Sequence, residues 1–204
     1  MNSPTLYYIY DPMCSWCWGF NNTWQQVQLQ INNRLKIQYV LGGLAPDSNE
    51  IMSTEMCSYI QENWRKIERE IPGTIFNNDF WENCTPVRST YPACRAVIAA
   101  KNQGNQFEFS MINAIQEAYY LQAKNPSNKA TLISLGVSIG LDEQQFIKDL
   151  NSNTTQTKLE GDIELCQSLG TSGFPSLVLE NKGIKKMIKI DYNNPAFILQ
   201  QIFA

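Results

Sequence analysis

The spacing of apolar positions changes twice along the chain, and the first change ends a strand-helix-strand pattern. Residues 5–10 (TLYYIY) are aromatic or β-branched on both faces, which is typical of a strand buried on both sides. Helical spacing then runs from about Cys14 to Ile31. A second strand is predicted over 35–41, where a Gly-Gly pair ends it. The amino-terminal part therefore predicts a β-α-β unit.

Residues 47–170 carry helical patterns and predict an all-helical insertion. The apolar stripe from Met52 to Ile67 has helical spacing, and we interpret it as core of this insertion rather than as a peptide groove. Residues 74–89 are predicted to be irregular. Asp142, followed three residues later by Gln145, predicts the capped start of a short helix.

After residue 170 the pattern returns to strands. Apolar runs predict strands at 176–179 and 184–190, and Asn194 followed by proline predicts the start of a terminal helix. The lysines of the second run suit an edge strand. The fold class is therefore α/β, with one domain formed by residues 1–46 and 171–204 and an insertion domain at 47–170.

Composition narrows the possible functions. The 204 residues include no histidine, which excludes a Ser-His-Asp triad, a Cys-His protease and any zinc site that needs imidazole. A net charge of −3 argues against a nucleic-acid partner. No apolar run reaches the roughly 18 residues of a bilayer-spanning helix, so no membrane span is expected.

The amino terminus and the cysteines predict the compartment. Residues 1–4 lack the basic and apolar regions of a secretion signal, so we expect a cytoplasmic protein. A periplasmic location would follow only if a signal had been removed. In a reducing compartment four cysteines are expected to be buried free thiols: Cys57, Cys84, Cys94 and Cys166.

Cys14-Ser15-Trp16-Cys17 is the motif that carries chemistry. It lies where the first strand passes into the first helix, and cysteines at i and i+3 share one face of a helix. Free N–H groups and the helix dipole at that point favour a thiolate, which predicts an exposed nucleophile at Cys14 and a buried resolving thiol at Cys17. The alternatives are half of a zinc site, for which no second close pair exists, and inert burial.

Gly173-Phe174-Pro175-Ser176 is the second informative element. A proline directly before an apolar strand fits a tight turn and a cis peptide bond. Taken alone this signal is weak, because few X-Pro bonds are cis.

Together these motifs resemble the DsbA-like thioredoxin-fold family, and in particular a bacterial branch described as predicted protein-disulfide isomerases. The resemblance spans the chain and is carried by five stretches: residues 11–20 (DPMCSWCWGF), 42–46 (GGLAP), 88–96 (RSTYPACRA), 118–120 (AYY) and 173–178 (GFPSLV). It implies a βαβ…ββα thioredoxin fold with a large helical insertion.

The resemblance also implies residue roles. Cys14 attacks, Cys17 resolves, and Pro175 is cis beside the sulfurs. The backbone of Phe174 is then free to pair with an extended substrate, while Ser15 and Trp16 contact it. The missing N–H of Pro175 would also deter metal capture, and no metal is expected.

Two positions depart from the relatives. Ser15-Trp16 stands where DsbA has a histidine, which leaves the oxidising strength open, and Tyr8 stands where thioredoxins carry a buried carboxylate. Asp11 is the nearest acid, and we interpret it as a turn residue before proline. Arg88 and Arg95, in a stretch that the resemblance brings towards the active site, are interpreted as helix-terminal and surface charges.

Three functions follow, in order of preference. The first is a thiol-disulfide oxidoreductase of isomerase, oxidase or reductase type, which acts on protein or small-molecule thiols and disulfides without a bound cofactor. The second is a glutathione-dependent isomerase or transferase related to the kappa class, although such enzymes typically have serine at the position of Cys14. The third is a binding or chaperone module. Glutathione stays open as a co-substrate, and no oligomeric state is predicted.

Overall fold

A four-stranded mixed sheet forms the centre of the chain, which is described by a computed structural model over residues 4–32 and 34–204. Its strands are β1 (Thr5–Tyr10), β2 (Lys36–Leu41), β3 (Ser176–Asn181) and β4 (Ile184–Ile188). The order across the sheet is β2-β1-β3-β4. β1 pairs in parallel with β2 and antiparallel with β3, and β4 forms the second edge.

Helices complete the predicted pattern. α1 (Ser15–Ile31) connects β1 to β2, and α9 (Pro195–Phe203) follows β4 and packs against α1. Between β2 and β3 the chain forms α2 (Thr54–Glu70), α3 (Phe80–Asn83), α4 (Tyr91–Gln103), α5 (Gln106–Tyr120), α6 (Lys129–Ser138), α7 (Glu143–Leu150) and α8 (Asn153–Ser168). This βαβ…ββα order confirms the thioredoxin fold with a helical insertion; the division into two domains stays a prediction.

One segment differs from the sequence-based expectation. Residues 74–89 are not wholly irregular, because α3 lies within them. Phe80 begins this helical turn and is 1 % exposed, with its ring against Trp64 and Tyr119. Burial of one aromatic side chain stabilises the segment by about 1.5–3 kcal/mol, which is enough to fix a turn that the local sequence does not specify.

Two apolar clusters meet beside the start of α1. The larger surrounds the sheet and contains Phe20 and Trp24 of α1. The smaller holds α2 and α5 together through Trp64 and Tyr120, whose rings lie 5.7 Å apart. Trp18 stacks on Tyr120 at 5.5 Å and so connects α1 to the insertion. The amino terminus of α1 is therefore held from both sides.

The described residues hold neither a membrane-spanning helix nor a cluster of potential metal ligands. Among the helices of this part of the chain, none has both the length and the apolar character that crossing a bilayer requires. Within residues 4–32 and 34–204, no three cysteine, aspartate or glutamate side chains come together as a set of metal ligands.

Candidate active site

The two cysteines of the motif lie at the amino terminus of α1. Cys14 is the residue immediately before the helix, and its N–H donates to the carbonyl of Asp11 at 3.0 Å. Cys17 lies in the first helical turn, and both cysteines are free thiols. Cys14 is only 7 % exposed and Cys17 is 1 % exposed. The expected exposure of Cys14 was therefore wrong: the insertion covers it, and it opens onto a cavity.

Burial separates the second thiol from solvent. It is the main cause that raises the pKa of Cys17 well above the usual value, and the hydrogen bond with Cys14 adds to the rise. A thiol with a raised pKa keeps its proton until a partner removes it. This arrangement fits a second, resolving thiol rather than the first nucleophile.

The loop before β3 lies next to the sulfur of Cys14. The Phe174–Pro175 peptide bond is cis, as predicted. The thiol of Cys14 donates to the carbonyl oxygen of Phe174 at 3.5 Å instead of capping α1. Gly42 makes room for this loop, because a Cβ there would lie 2.0 Å from the Phe174 ring.

The buried carboxylate of Asp11 binds several donors next to the cysteine motif. Asp11 is 0 % exposed. Its Oδ1 accepts from the N–H of Met13 at 2.8 Å, while its Oδ2 accepts from the N–H of Leu44 at 2.7 Å and the hydroxyl of Thr90 at 2.6 Å. The thiol of Cys94 donates to the same Oδ2 at 3.5 Å. One side chain thus connects the cysteine loop, the segment after β2 and the start of α4.

The sequence-based interpretation of Asp11 was incomplete. The Met13 contact does make it a turn residue, but the burial and the contacts with Thr90 and Cys94 were missed. Burial raises the pKa of Asp11 above its usual value, and its hydrogen bonds offset part of that rise. All the groups in contact are donors, which fits the ionised carboxylate. Its position three residues before Cys14 was the signal in the sequence.

Ser15 and Trp16 lie in the wall of the cavity that contains Cys14. This cavity measures about 250 Å³ and is also lined by Phe174. Trp16 is half-buried, packs on Tyr192 at a ring distance of 5.3 Å, and has the ammonium of Lys66 5.6 Å from its ring centroid. The structure therefore brings the predicted substrate-contacting residues to one place beside Cys14; their roles stay predictions.

The amino-terminal part of the α2 stripe also faces this region. Trp64 and Ile67 are buried as predicted, but Ile60 lines the cavity beside Cys14 and a smaller neighbouring one of about 40 Å³, which Met52 also lines. The interpretation of the whole stripe as core was wrong, because the middle of α2, with Ile60 and Trp64, lines the cavity that contains Cys14.

The two arginines of the 88–96 stretch have different surroundings. Arg95 is half-buried and forms a bidentate ion pair with Asp47, with both distances 2.7 Å, so its interpretation as a surface charge was wrong. Arg88 lines both cavities beside the motif. Arg88 is exposed to solvent, as a surface charge would be, and it also borders these two cavities.

The remaining cysteines are free thiols, as predicted. Cys94 and Cys166 are buried, whereas Cys57 and Cys84 are half-buried. Burial raises the pKa of the Cys94 thiol, and the nearby carboxylate of Asp11 raises it further. None of these four lines the cavity that contains Cys14.

Known proteins resemble this chain in sequence and in structure. A curated relative from Halalkalibacterium halodurans, the ClpXP adapter protein SpxH, is 26 % identical over 97 % of this chain and 65 % of its own length. A second SpxH, from Bacillus subtilis, is 23 % identical over 88 % of this chain and 61 % of its own length. The chain thus spans less than two thirds of the length of these curated relatives.

Solved structures resemble the whole chain. One from Nitrosomonas europaea, described as a "putative protein disulfide isomerase", has a TM-score of 0.86 and 28 % identity, covering 99 % of this chain and 97 % of its own. The cytosolic disulfide reductase DsbM from Pseudomonas aeruginosa with GSH has a TM-score of 0.76 and 21 % identity, over 98 % and 100 % of the two chains. The profile of a family described as thioredoxin matches residues 7–201, and the chain belongs to this thioredoxin family.

Proposed function

We propose that this protein is a thiol-disulfide oxidoreductase that uses Cys14 and Cys17. One observation carries the proposal: a pair of free thiols lies at the start of α1, and the first of them lines a cavity against the carbonyl of Phe174. The description of the N. europaea structure, which is 28 % identical to this chain, supports the same chemistry.

The exchange proceeds through two attacks. The thiolate of Cys14 attacks one sulfur of a substrate disulfide, so that a mixed disulfide forms and one substrate thiolate leaves. Cys17 then loses its proton and attacks the Cys14 sulfur, which releases the second substrate thiol and closes the Cys14–Cys17 disulfide. Two electrons pass from the protein to the substrate. The reverse sequence oxidises a substrate dithiol.

Pro175 and Phe174 would hold the substrate, and glutathione would be a co-substrate. Pro175 has no backbone N–H. The backbone of Phe174 next to it would therefore be free to pair with an extended substrate beside the Cys14 sulfur. Glutathione is supported by the P. aeruginosa reductase, which is described with GSH, and by the open cavity of about 250 Å³ beside Cys14. No bound cofactor is needed, since the cysteine pair itself carries the electrons.

A binding role without thiol chemistry is the second candidate. The curated relatives carry the name ClpXP adapter protein, and partly exposed apolar side chains at Leu44 and Tyr59 border the cavity beside Cys14. A protein of this kind would bind its partner equally well when Cys14 is replaced by serine, whereas an oxidoreductase would lose its exchange activity.

Trapping the mixed disulfide tests the first proposal. A Cys17→Ser variant cannot resolve the intermediate, so exposure of the reduced variant to glutathione disulfide or to disulfide-containing proteins should leave an adduct on Cys14. Peptide mass spectrometry locates the adduct. Cys166→Ser is the matched control, because that buried cysteine lies against the carbonyl of Leu41 and outside the site; it should accumulate no adduct.

The nature of the adduct separates the candidates. Glutathione or a client protein on Cys14 supports thiol exchange and identifies the partner. A Cys17→Ser variant that carries no adduct on Cys14, in a folded protein, would overturn the proposal and leave the binding role.

A further inference from the structure

Arg88 is a cation without a charged partner beside the cysteine motif. It lines the cavity that contains Cys14 and the smaller neighbouring cavity. Its Nη1 lies 3.0 Å from the sulfur of Met56, a weak acceptor. Among the described residues, no carboxylate lies within 4.0 Å of the Arg88 guanidinium.

Arg95, seven residues further along the chain, has the charged partner that Arg88 lacks. Both of its terminal nitrogens bind the carboxylate of Asp47, and Nη1 also donates to Gln156 at 2.9 Å. A guanidinium has five donors arranged to match a carboxylate. Arg88 has the same donors and uses one of them on a thioether.

One further cation lies near the Cys14 cavity, because the Lys66 ammonium is 5.6 Å from the ring of Trp16 in its wall. Among the described residues that line either cavity, Arg88 is the sole charged side chain. The walls that the two cavities share with it are otherwise apolar or aromatic: Met13, Leu44, Ile60 and Tyr119. Arg88 is exposed to solvent, so an anion here would gain mainly from the charge-assisted hydrogen bonds of the guanidinium rather than from burial.

Cys14 and Arg88 line the same cavity of about 250 Å³. A molecule that presents a sulfur to Cys14 therefore lies in the cavity that Arg88 borders. If the molecule also carries a carboxylate, that group meets a guanidinium whose preferred partner is a carboxylate. A disulfide with ammonium groups at the same distance would be repelled.

We infer that Arg88 binds a carboxylate of the substrate, so that the site selects small disulfides with a carboxylate close to the sulfur. The inference rests on the proposed thiol-disulfide exchange and adds its specificity. Arg88 then acts as a specificity-determining residue, while the bonds that form and break stay at Cys14 and Cys17.

Single-turnover reduction of three disulfides tests this role. The reduced protein supplies both electrons: each disulfide is cleaved to two thiols while the Cys14–Cys17 disulfide forms. The probes are glutathione disulfide, which carries carboxylates, neutral bis(2-hydroxyethyl) disulfide and cationic cystamine. The readout is the ratio of the second-order rate constants for glutathione disulfide and the neutral disulfide.

Arg88→Met keeps an apolar stem and removes the charge, and it should lower this ratio about tenfold, the loss expected for one charge-assisted hydrogen bond. The ratio for cystamine should rise. Arg95→Met is the matched control and should leave both ratios as they are. In the unsubstituted protein, added salt should slow the reaction of glutathione disulfide more than that of the neutral disulfide.

The outcomes separate the two proposals. An Arg88→Met variant with the ratios of the parent, or a parent whose two rates respond equally to salt, overturns the role of Arg88 while the exchange chemistry stands. A parent that reduces none of the three disulfides overturns the proposed function, and the inference falls with it.

Discussion

The starts of α1 and α4 both carry a cysteine, yet their surroundings are opposite. Cys14 precedes α1 and Cys94 lies in the first turn of α4, and both are connected to Asp11. Cys14 lines the cavity beside Phe174, whereas Cys94 is 0 % exposed and its thiol donates to the Asp11 carboxylate. Both residues lie at a helix amino terminus, so that position does not distinguish them. Access and the nearest charge, rather than the helix alone, therefore separate a candidate nucleophile from a structural thiol.

Substitution of the two cysteines gives the largest expected contrast. Cys14→Ser should lower the rate of disulfide reduction by roughly a thousandfold or more, because the attacking sulfur is lost. Cys94→Ala should stay within about twofold of the parent rate and instead lose about 1 kcal/mol of unfolding free energy through the small cavity that it leaves. Reduction kinetics and urea titration measure the two effects. Equal losses of activity would contradict the distinction.

Gly42→Ala tests the surroundings of Cys14 without touching either sulfur. The new Cβ would overlap the Phe174 ring and displace the carbonyl that accepts from Cys14. We expect the rate of disulfide reduction to fall roughly tenfold, since small displacements at a reacting centre are costly. Gly161→Ala is the control, because a Cβ in that helix meets nothing within 4 Å. A parent-like rate for Gly42→Ala would mean that Phe174 does not position the site.

Thr90→Val tests the hydrogen bond between Thr90, just before α4, and the carboxylate of Asp11. The Thr90 hydroxyl donates to Asp11 and accepts from the N–H of Ala45, so its loss should cost about 1–3 kcal/mol of unfolding free energy. Burial raises the pKa of Asp11 in the folded protein above the 3.8 of the unfolded chain. The protonated carboxyl therefore favours the folded state fully below pH 3.8, and this stabilisation is lost as pH rises through the pKa of the folded protein. Because the hydroxyl lowers that pKa, it stabilises the ionised form.

The cost of Thr90→Val should therefore be larger at pH 8 than at pH 4, by up to about 1 kcal/mol. Urea titrations of parent and variant at the two pH values measure the difference. A cost that is the same at both values would indicate that Asp11 does not change its charge in this range, or that the hydroxyl does not respond to it.

The local features of the fold were predictable from the sequence, because their partners lie close along the chain. Asp142 caps α7 by accepting from the N–H of Gln145 at 2.7 Å, three residues away. The strand-helix-strand start followed from hydrophobic spacing, and the edge position of β4 followed from its lysines.

The site was only partly predictable. The donors to Asp11 at Leu44 and Thr90 lie 33 and 79 positions away, and no periodicity in the sequence connects them. The contact of Cys14 with Phe174 spans 160 positions and was expected only from the resemblance to DsbA-like proteins. Cys14 is mostly buried because the helical insertion packs beside it. Amphipathic patterns predict the helices of the insertion but not where these helices pack.

Labelling all six thiols of the folded, reduced protein with a small neutral disulfide tests the central claim most directly. Time-resolved peptide mass spectrometry should find Cys14 reacting first and closing a disulfide with Cys17. The half-buried Cys57 and Cys84 should follow, although burial alone covers them less than Cys14, and Cys94 should react only on unfolding. If Cys57 or Cys84 reacted before Cys14, or if Cys94 kept pace with it, exposure alone would govern reactivity and the assignment of Cys14 as the nucleophile would be contradicted.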